Sequence, residues 1–203
     1  MAGTGFWWIL AACAAYGVLH SVLAANGFKR RVARIIGQAA YDRYYRLLFA
    51  LMGTLTALPL LALAGLLPDR EIYRIPAPWV YLTLLAQALA AAALLITVIQ
   101  TGAMRFIGFE QALAPGAAAA RDRLVISGFY RYVRHPLYTT SFIILWLMPV
   151  MTWNLLALVI GLSAYMLIGT IFEERKLVEQ FGAAYEEYRR RTPRIVPGIG
   201  GKK

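Results

Sequence analysis

Residues 137–172 read LYTTSFIILWLMPVMTWNLLALVIGLSAYMLIGTIF, and no charged side chain interrupts them. One crossing of a bilayer core about 30 Å thick takes about 20 residues, so the run is too long for a single span. It breaks once, around Met151-Thr152-Trp153-Asn154. The stretch therefore reads as two spans, roughly 137–151 and 153–172, joined by a turn so short that they form a tight antiparallel hairpin. The first of the two is short for a full crossing, which calls for tilt, cover by neighbours or an interfacial turn.

The rest of the chain agrees with this reading. Of 203 residues, 60% are hydrophobic and 15% charged, against roughly 25% charged in an ordinary soluble domain; mean hydropathy is +0.58. Three more apolar runs lie at about 6–25, 47–67 and 78–99. The first has no basic stretch ahead of it and no A-x-A site behind it, so it reads as a retained helix rather than a cleaved signal. The expectation is an all-α integral membrane protein of five transmembrane helices. It forms a single membrane domain over 1–203, with three N-terminal spans in 1–100 and a C-terminal core in 101–203. No large soluble domain fits.

Net charge is +11, which in a soluble chain would suggest nucleic acid. Here the positions of the charges suggest otherwise. Lys and Arg number six, two, five, none and eight in the successive segments after each span. Basic segments are retained on the cytoplasmic side, so the alternation places the N-terminus outside and the C-terminus in the cytoplasm. The expected location is a bacterial inner membrane, with membrane lipids and no nucleic acid as partners. The single cysteine, Cys13, leaves no intrachain disulfide, and with two distant histidines the chain offers little for a metal.

The basic segment before the hairpin reads SGFYRYVRHPLY over 127–138. Proline biases the preceding residue away from helix and suits the first position of the next one. His135 should then lie just outside a helix N-terminus, with Arg131 and Arg134 beside it. That end offers unpaired amides and the positive end of a dipole, a setting for a carboxylate or other anion. The alternative is a set of interfacial basic anchors. At the far end of the hairpin stand Glu173 and Glu174. Adjacent helical residues diverge by about 100°, so one acid can face inward while the other faces Arg175, Lys176 or solvent. The short hairpin brings both acids back to the level of Arg134-His135. Beyond them Leu177, Phe181, Tyr185 and Tyr188 recur at helical spacing, so a cytoplasmic C-terminal helix should continue, kinked near Gly182 and ended by Pro193 and Pro197. The alanine run at 117–120, after Pro115-Gly116, suggests a flexible loop or short helix.

These motifs resemble the isoprenylcysteine carboxyl methyltransferase superfamily of integral-membrane methyltransferases. The resemblance covers about the last 80 residues: G-x-Y, then R-H-P-x-Y, a helical hairpin, E-E-x-x-L, F-G-x-x-Y-x-x-Y and a closing pair of prolines. The segments LHSVLAA, YYRLLF, FIGFEQ and LMPVMTWNLL resemble the methanethiol S-methyltransferase branch. The resemblance implies S-adenosylmethionine as cofactor, with S-adenosylhomocysteine as product, held on the cytoplasmic side by Leu124, Val125, Tyr130, His135, Pro136, Leu137, Tyr138 and Glu173. Arg134 and Glu174 are the adjacent candidates for catalysis. In the carboxyl methyltransferases an arginine about one turn before the first Glu helps hold the substrate; Gly169 stands there in this chain, which argues against a prenylated carboxylate acceptor. His20, inside the first span and part of the LHS segment, is a candidate catalytic residue on the substrate side or a histidine bonded between helices. Gly161 and Gly169 suit helix packing.

The function implied is methyl transfer to a small or lipophilic acceptor, with a thiol such as methanethiol among the candidates. The alternative is an NADPH-dependent membrane reductase of the sterol or steroid type, which shares a pattern around H-P-x-Y but usually carries more spans.

Overall fold

The structure, a computed structural model, describes residues 2–114 and 124–199. The alanine run at 117–120, with Arg121 and Arg123, lies outside the described residues. The elements in chain order are α1 (Phe6–Ala24), α2 (Asn26–Ile36), α3 (Gln38–Leu66), β1 (Glu71–Arg74), α4 (Trp79–Gln100), α5 (Ala103–Ile107), α6 (Phe109–Leu113), a 3-10 turn (Gly128–Arg131), α7 (Pro136–Trp146), β2 (Val150–Thr152), α8 (Trp153–Phe181) and α9 (Ala183–Arg191). Among the described residues, α1, α3, α4 and α8 are long and apolar enough to cross a membrane. Their outward faces are apolar: Leu51, Leu58, Leu85 and Leu95 are each about half exposed. Water does not tolerate so much exposed aliphatic surface on a monomer, whereas lipid does. The chain is a mostly helical integral membrane protein.

The fourth expected span is realised differently. α7 has 11 residues, about 16 Å at 1.5 Å per residue, well short of the hydrocarbon core. Pro149 explains where it stops: it has no N–H for the helical hydrogen bond, its ring clashes with the carbonyl four residues back, and it pushes Met148 out of the helical region. The chain then turns extended through Val150-Met151-Thr152 and pairs antiparallel with Glu71–Arg74, in the register Glu71 opposite Thr152 and Arg74 opposite Val150. Neither short strand was expected from the sequence. α3 begins nine residues before the expected start, taking in the polar stretch QAAYDRYYR; the segment after α1 forms the separate basic helix α2.

The chain divides into two compact units that interleave along the sequence. One holds the described residues of 1–70, 102–122 and 153–161. Within it α1 packs against α3 and α2 links them. Gly108, at φ 102°, lets the α5–α6 turn approach α3; a Cβ there would lie 2.5 Å from the backbone nitrogen of Leu47. Arg43 Nε donates to the carbonyl of Ala112 at 2.8 Å. The first turns of α8 belong to this unit. Fully buried Asn154 donates through Nδ2 to the carbonyls of Leu67 (3.1 Å) and Pro68 (3.2 Å). Gly161 meets α1, where a Cβ would stand 2.5 Å from the Cβ of Cys13. The expectation that Gly161 serves helix packing holds.

The other unit holds the described residues of 71–101, 123–152 and 162–199. α4 packs along α7, with Gln87 Nε2 donating to the Ile144 carbonyl at 2.8 Å. α7 also runs antiparallel to the later part of α8. Trp146 Nε1 donates to Ser163 Oγ at 3.0 Å at one end, and His135 meets Glu174 at the other. The same number of residues separates the partners in each helix, as two antiparallel helices of equal rise require. Gly182, at φ 53°, ends α8, and α9 continues from it as the tail pattern predicts.

Candidate functional site

Pro136 is the first residue of α7, and His135 is its N-cap with an extended φ of −124°. Local chemistry sets this: proline cannot donate, and it holds the preceding residue out of the helix. The backbone around it is tied to the tail. The Arg134 amide donates to the Pro193 carbonyl at 2.9 Å and the His135 amide to the Arg194 carbonyl at 3.0 Å. Thr139 Oγ1 donates to the Ile195 carbonyl at 2.7 Å. The segment ended by the two prolines is therefore a strap, hydrogen-bonded along the start of α7.

The side chains form a polar cluster in an apolar setting. Glu174 is buried, 4% exposed, and accepts from Arg134 Nε at 2.8 Å and Arg134 Nη2 at 2.7 Å. Arg194 approaches the same carboxylate through Nε and Nη2, each at 3.3 Å. Arg134 Nη1 donates to the Arg189 carbonyl at 2.9 Å and to the Thr192 carbonyl. A buried charge is costly unless it is paired and fully hydrogen-bonded, and this one has both conditions met. His135 Nε2 lies 3.2 Å from Glu174 Oε1. A carboxylate held between two guanidiniums only accepts, so Nε2 carries a proton. The other ring nitrogen, Nδ1, faces Glu173 Oε2 at 3.6 Å.

Glu173 differs from its neighbour. Its side chain is about half exposed, and it accepts from the Tyr138 hydroxyl at 3.1 Å. The Tyr138 ring stacks on His135, with centroids 5.5 Å apart. The two acids diverge around α8 as the helical angle predicts, one inward and one toward the open side. Beside them Gly169 leaves space, a Cβ there standing 3.8 Å from the Tyr138 hydroxyl.

Three tyrosines frame the cluster. The Tyr188 hydroxyl donates to the Tyr130 carbonyl at 2.7 Å. Burial, then the Glu173 carboxylate, pushes the Tyr130 phenol up to about 12. Burial, then Glu174, does the same to Tyr185, also to about 12. Tyr188 is likewise raised, chiefly by burial. All three stay protonated at neutral pH and present neutral aromatic faces.

The structure thus brings together Tyr130, Arg134, His135, Pro136, Leu137, Tyr138, Glu173 and Glu174 in one unit. Leu124 and Val125 are half-buried in the same unit. His20 belongs to the other unit, where its ring lies 4.5 Å from that of Phe49 and 5.6 Å from that of Tyr16. Sequence reasoning missed Arg194, Tyr188 and the carbonyls of Arg189 and Thr192. Their signal is weak in one dimension: the tail reads as a basic, proline-ended coil, and nothing in its periodicity says which backbone it will pair with.

Comparison with known proteins gives the cluster a context. Residues 82–184 match the phospholipid methyltransferase family. Methanethiol S-methyltransferase from Crocosphaera subtropica is 43% identical over 74 residues, which is 36% of this chain and 29% of that relative. Methanethiol S-methyltransferase 1 from Bradyrhizobium diazoefficiens is 28% identical over 187 residues, 91% of this chain and 64% of the relative. Methanethiol S-methyltransferase from Mycobacterium tuberculosis is 28% identical over 184 residues, 90% and 74% respectively. The aligned stretch therefore covers less than a third of the first of these relatives and about two thirds of the second. No solved structure matches the chain significantly. The matched span runs from α4 to the first residues of α9 and holds the RHPLY–EE cluster, so the resemblance to a membrane methyltransferase family is borne out: the chain belongs to the phospholipid methyltransferase family.

Proposed function

We propose that the protein is an integral-membrane methyltransferase that uses S-adenosylmethionine and methylates a small acceptor, a thiol such as methanethiol being the one its relatives' names favour. One observation carries the cofactor reading. His135 Nδ1 and the half-exposed Glu173 Oε2 lie 3.6 Å apart on the open side of the cluster, with the Tyr138 hydroxyl on the same carboxylate. A carboxylate half open to the site suits a cationic donor. The ammonium of an amino acid cofactor supplies one, and its sulfonium suits the neighbouring aromatic faces of Tyr138 and Tyr130 by cation–π attraction. The amides of Leu137 and Tyr138, without intrahelical partners at the α7 N-terminus, suit its carboxylate. S-adenosylmethionine supplies an electrophilic methyl group on sulfur.

Tyr130, His135, Tyr138 and Glu173 are assigned to cofactor binding, with Pro136 and Leu137 shaping the helix start and Leu124 and Val125 lining its approach. Arg134 and Glu174, expected as catalytic candidates, are assigned to positioning, since their hydrogen-bonding capacity is taken up by one another and by the strap. Methyl transfer needs an aligned acceptor and little covalent participation by the enzyme; alignment can supply on the order of 7–11 kcal/mol. A thiol acceptor would react as its thiolate. His20 is retained as a substrate-side candidate. α7 counts as a fifth, incomplete span, and the charge alternation supports a cytoplasmic cofactor site and a cytoplasmic α9 in a bacterial inner membrane.

Thermal melting of the detergent-solubilised protein tests this. About 1 mM S-adenosylhomocysteine should raise the midpoint by several degrees while NADPH leaves it unchanged, and E173Q should weaken the effect at least tenfold. A shift with NADPH alone would select the reductase reading, and no shift with either ligand would sink the cofactor assignment.

A further inference from the structure

α2 lies between two helices long enough to span a bilayer, separated from α1 by Ala25 and from α3 by Gly37. Its sequence, NGFKRRVARII, contains no acid. At 100° per residue, Phe28, Val32 and Ile35 fall on one side and Arg30 and Arg34 on the other, with Arg31 at the border between them. No residue of α2 is fully buried, and Ile35 is 77% exposed. A helix this amphipathic with an uncovered apolar stripe lies in the plane of a membrane surface. The same helix borders a cleft of about 480 Å³ with two kinds of wall. Val22, Ala25 and Phe28 supply an apolar floor; Arg30, Arg31 and Arg34 supply a cationic rim. Among the described residues no carboxylate pairs with these three arginines.

We propose that this cleft holds an anionic phospholipid of the surrounding bilayer. The headgroup phosphate sits against Arg30, Arg31 and Arg34, and the start of an acyl chain lies along Val22 and Phe28. The charge complement is direct: guanidiniums fork onto phosphate oxygens, and each basic residue near an anionic membrane surface adds to the attraction. The apolar floor decides between a lipid and a free phosphate, because an inorganic ion has nothing to place on it. The site lies in the unit that does not contain the RHPLY–EE cluster and shares no residue with the proposed cofactor site.

Native mass spectrometry of the full chain released from detergent, with added phosphatidylglycerol or phosphatidylcholine, tests the assignment. Wild type should retain phosphatidylglycerol at least tenfold better, with a preference that falls steeply between 50 and 500 mM salt. R31Q/R34Q should lose about thirtyfold in phosphatidylglycerol affinity, the weight of two basic contacts at an anionic surface, with phosphatidylcholine binding unchanged. R31K/R34K should stay within threefold of wild type, and R70Q, which removes a charge elsewhere, should match it. Equal retention of the two lipids by wild type, a salt-independent preference, or undiminished binding in R31Q/R34Q would each overturn the proposal. Full displacement of the lipid by 50 mM inorganic phosphate would show that the occupant is a free anion and overturn it too. The salt series on wild type needs no variant to fold.

Discussion

Glu173 and Glu174 are chemically identical neighbours with opposite fates. The α-helix turns one inward to two arginines and a histidine and the other toward the open side. The sequence shows that they must diverge, but not which one is buried. That depends on where Arg134 and Arg194 arrive, and Arg194 is delivered by the tail. The consequence is measurable. Breaking a buried ion pair by removing one partner costs about 3–5 kcal/mol, because the other charge is left behind. R134M should therefore lower the melting midpoint by on the order of 10 °C for a chain of this size. R134M/E174L, which removes both charges, should recover at least half of that loss. Equal melting of the single and double variants would show that the pair is not what holds α7, α8 and the strap together.

At the level of elements, helix contacts in this chain rely on small residues. Gly161 lets the start of α8 close on α1 at Cys13, whereas Gly65 in α3 has nothing within 4 Å of an added Cβ. The same substitution should act in opposite directions at the two sites. G161A forces a methyl into backbone-near atoms and should cost about 1–3 kcal/mol. G65A adds helix propensity in open space and should be neutral or stabilising by up to about 1 kcal/mol. Melting curves of the two variants in the same detergent check this, and a G161A protein as stable as G65A would refute the close packing. The shortness of α7 belongs to this scale as well. Its apolar sequence reads on through Met151, but Pro149 and the pairing of β2 with β1 end the helix at Trp146. Hydropathy sees only that residues 147–151 are apolar; strand pairing with residues 76 to 81 positions away is invisible to it.

For the molecule as a whole, charge distribution carries the orientation. Basic segments follow the first, third and fifth apolar runs, and the others are nearly neutral. Under the positive-inside rule the C-terminus should be cytoplasmic. A fluorescent protein fused after Lys203 should therefore glow in bacterial cells, and alkaline phosphatase fused at the same point should be inactive. An active phosphatase fusion would invert the assignment and move the proposed cofactor site to the other side of the membrane. The composition is equally informative at this scale: it leaves too few charged residues to cover the surface of a soluble protein of this length, and the half-exposed leucines of α3 and α4 are where that shortage appears in the structure.

The sequence by itself determined the class of protein, four of the long helices, the helix start at Pro136, the break at Gly182 and most of the residues that meet at the RHPLY–EE cluster. Those features follow from local rules: hydropathy over about 20 residues, the fixed φ of proline, the freedom of glycine and the angle between helical neighbours. Only the tertiary structure decided that Glu174 rather than Glu173 is buried, that the tail straps the start of α7, that residues 150–152 form a strand, and that α2 is a separate helix bordering an arginine-rimmed cleft. Each of these depends on which distant backbone or side chain arrives to satisfy a buried polar group, and a carboxylate's need for partners is visible in one dimension while the identity of those partners is not.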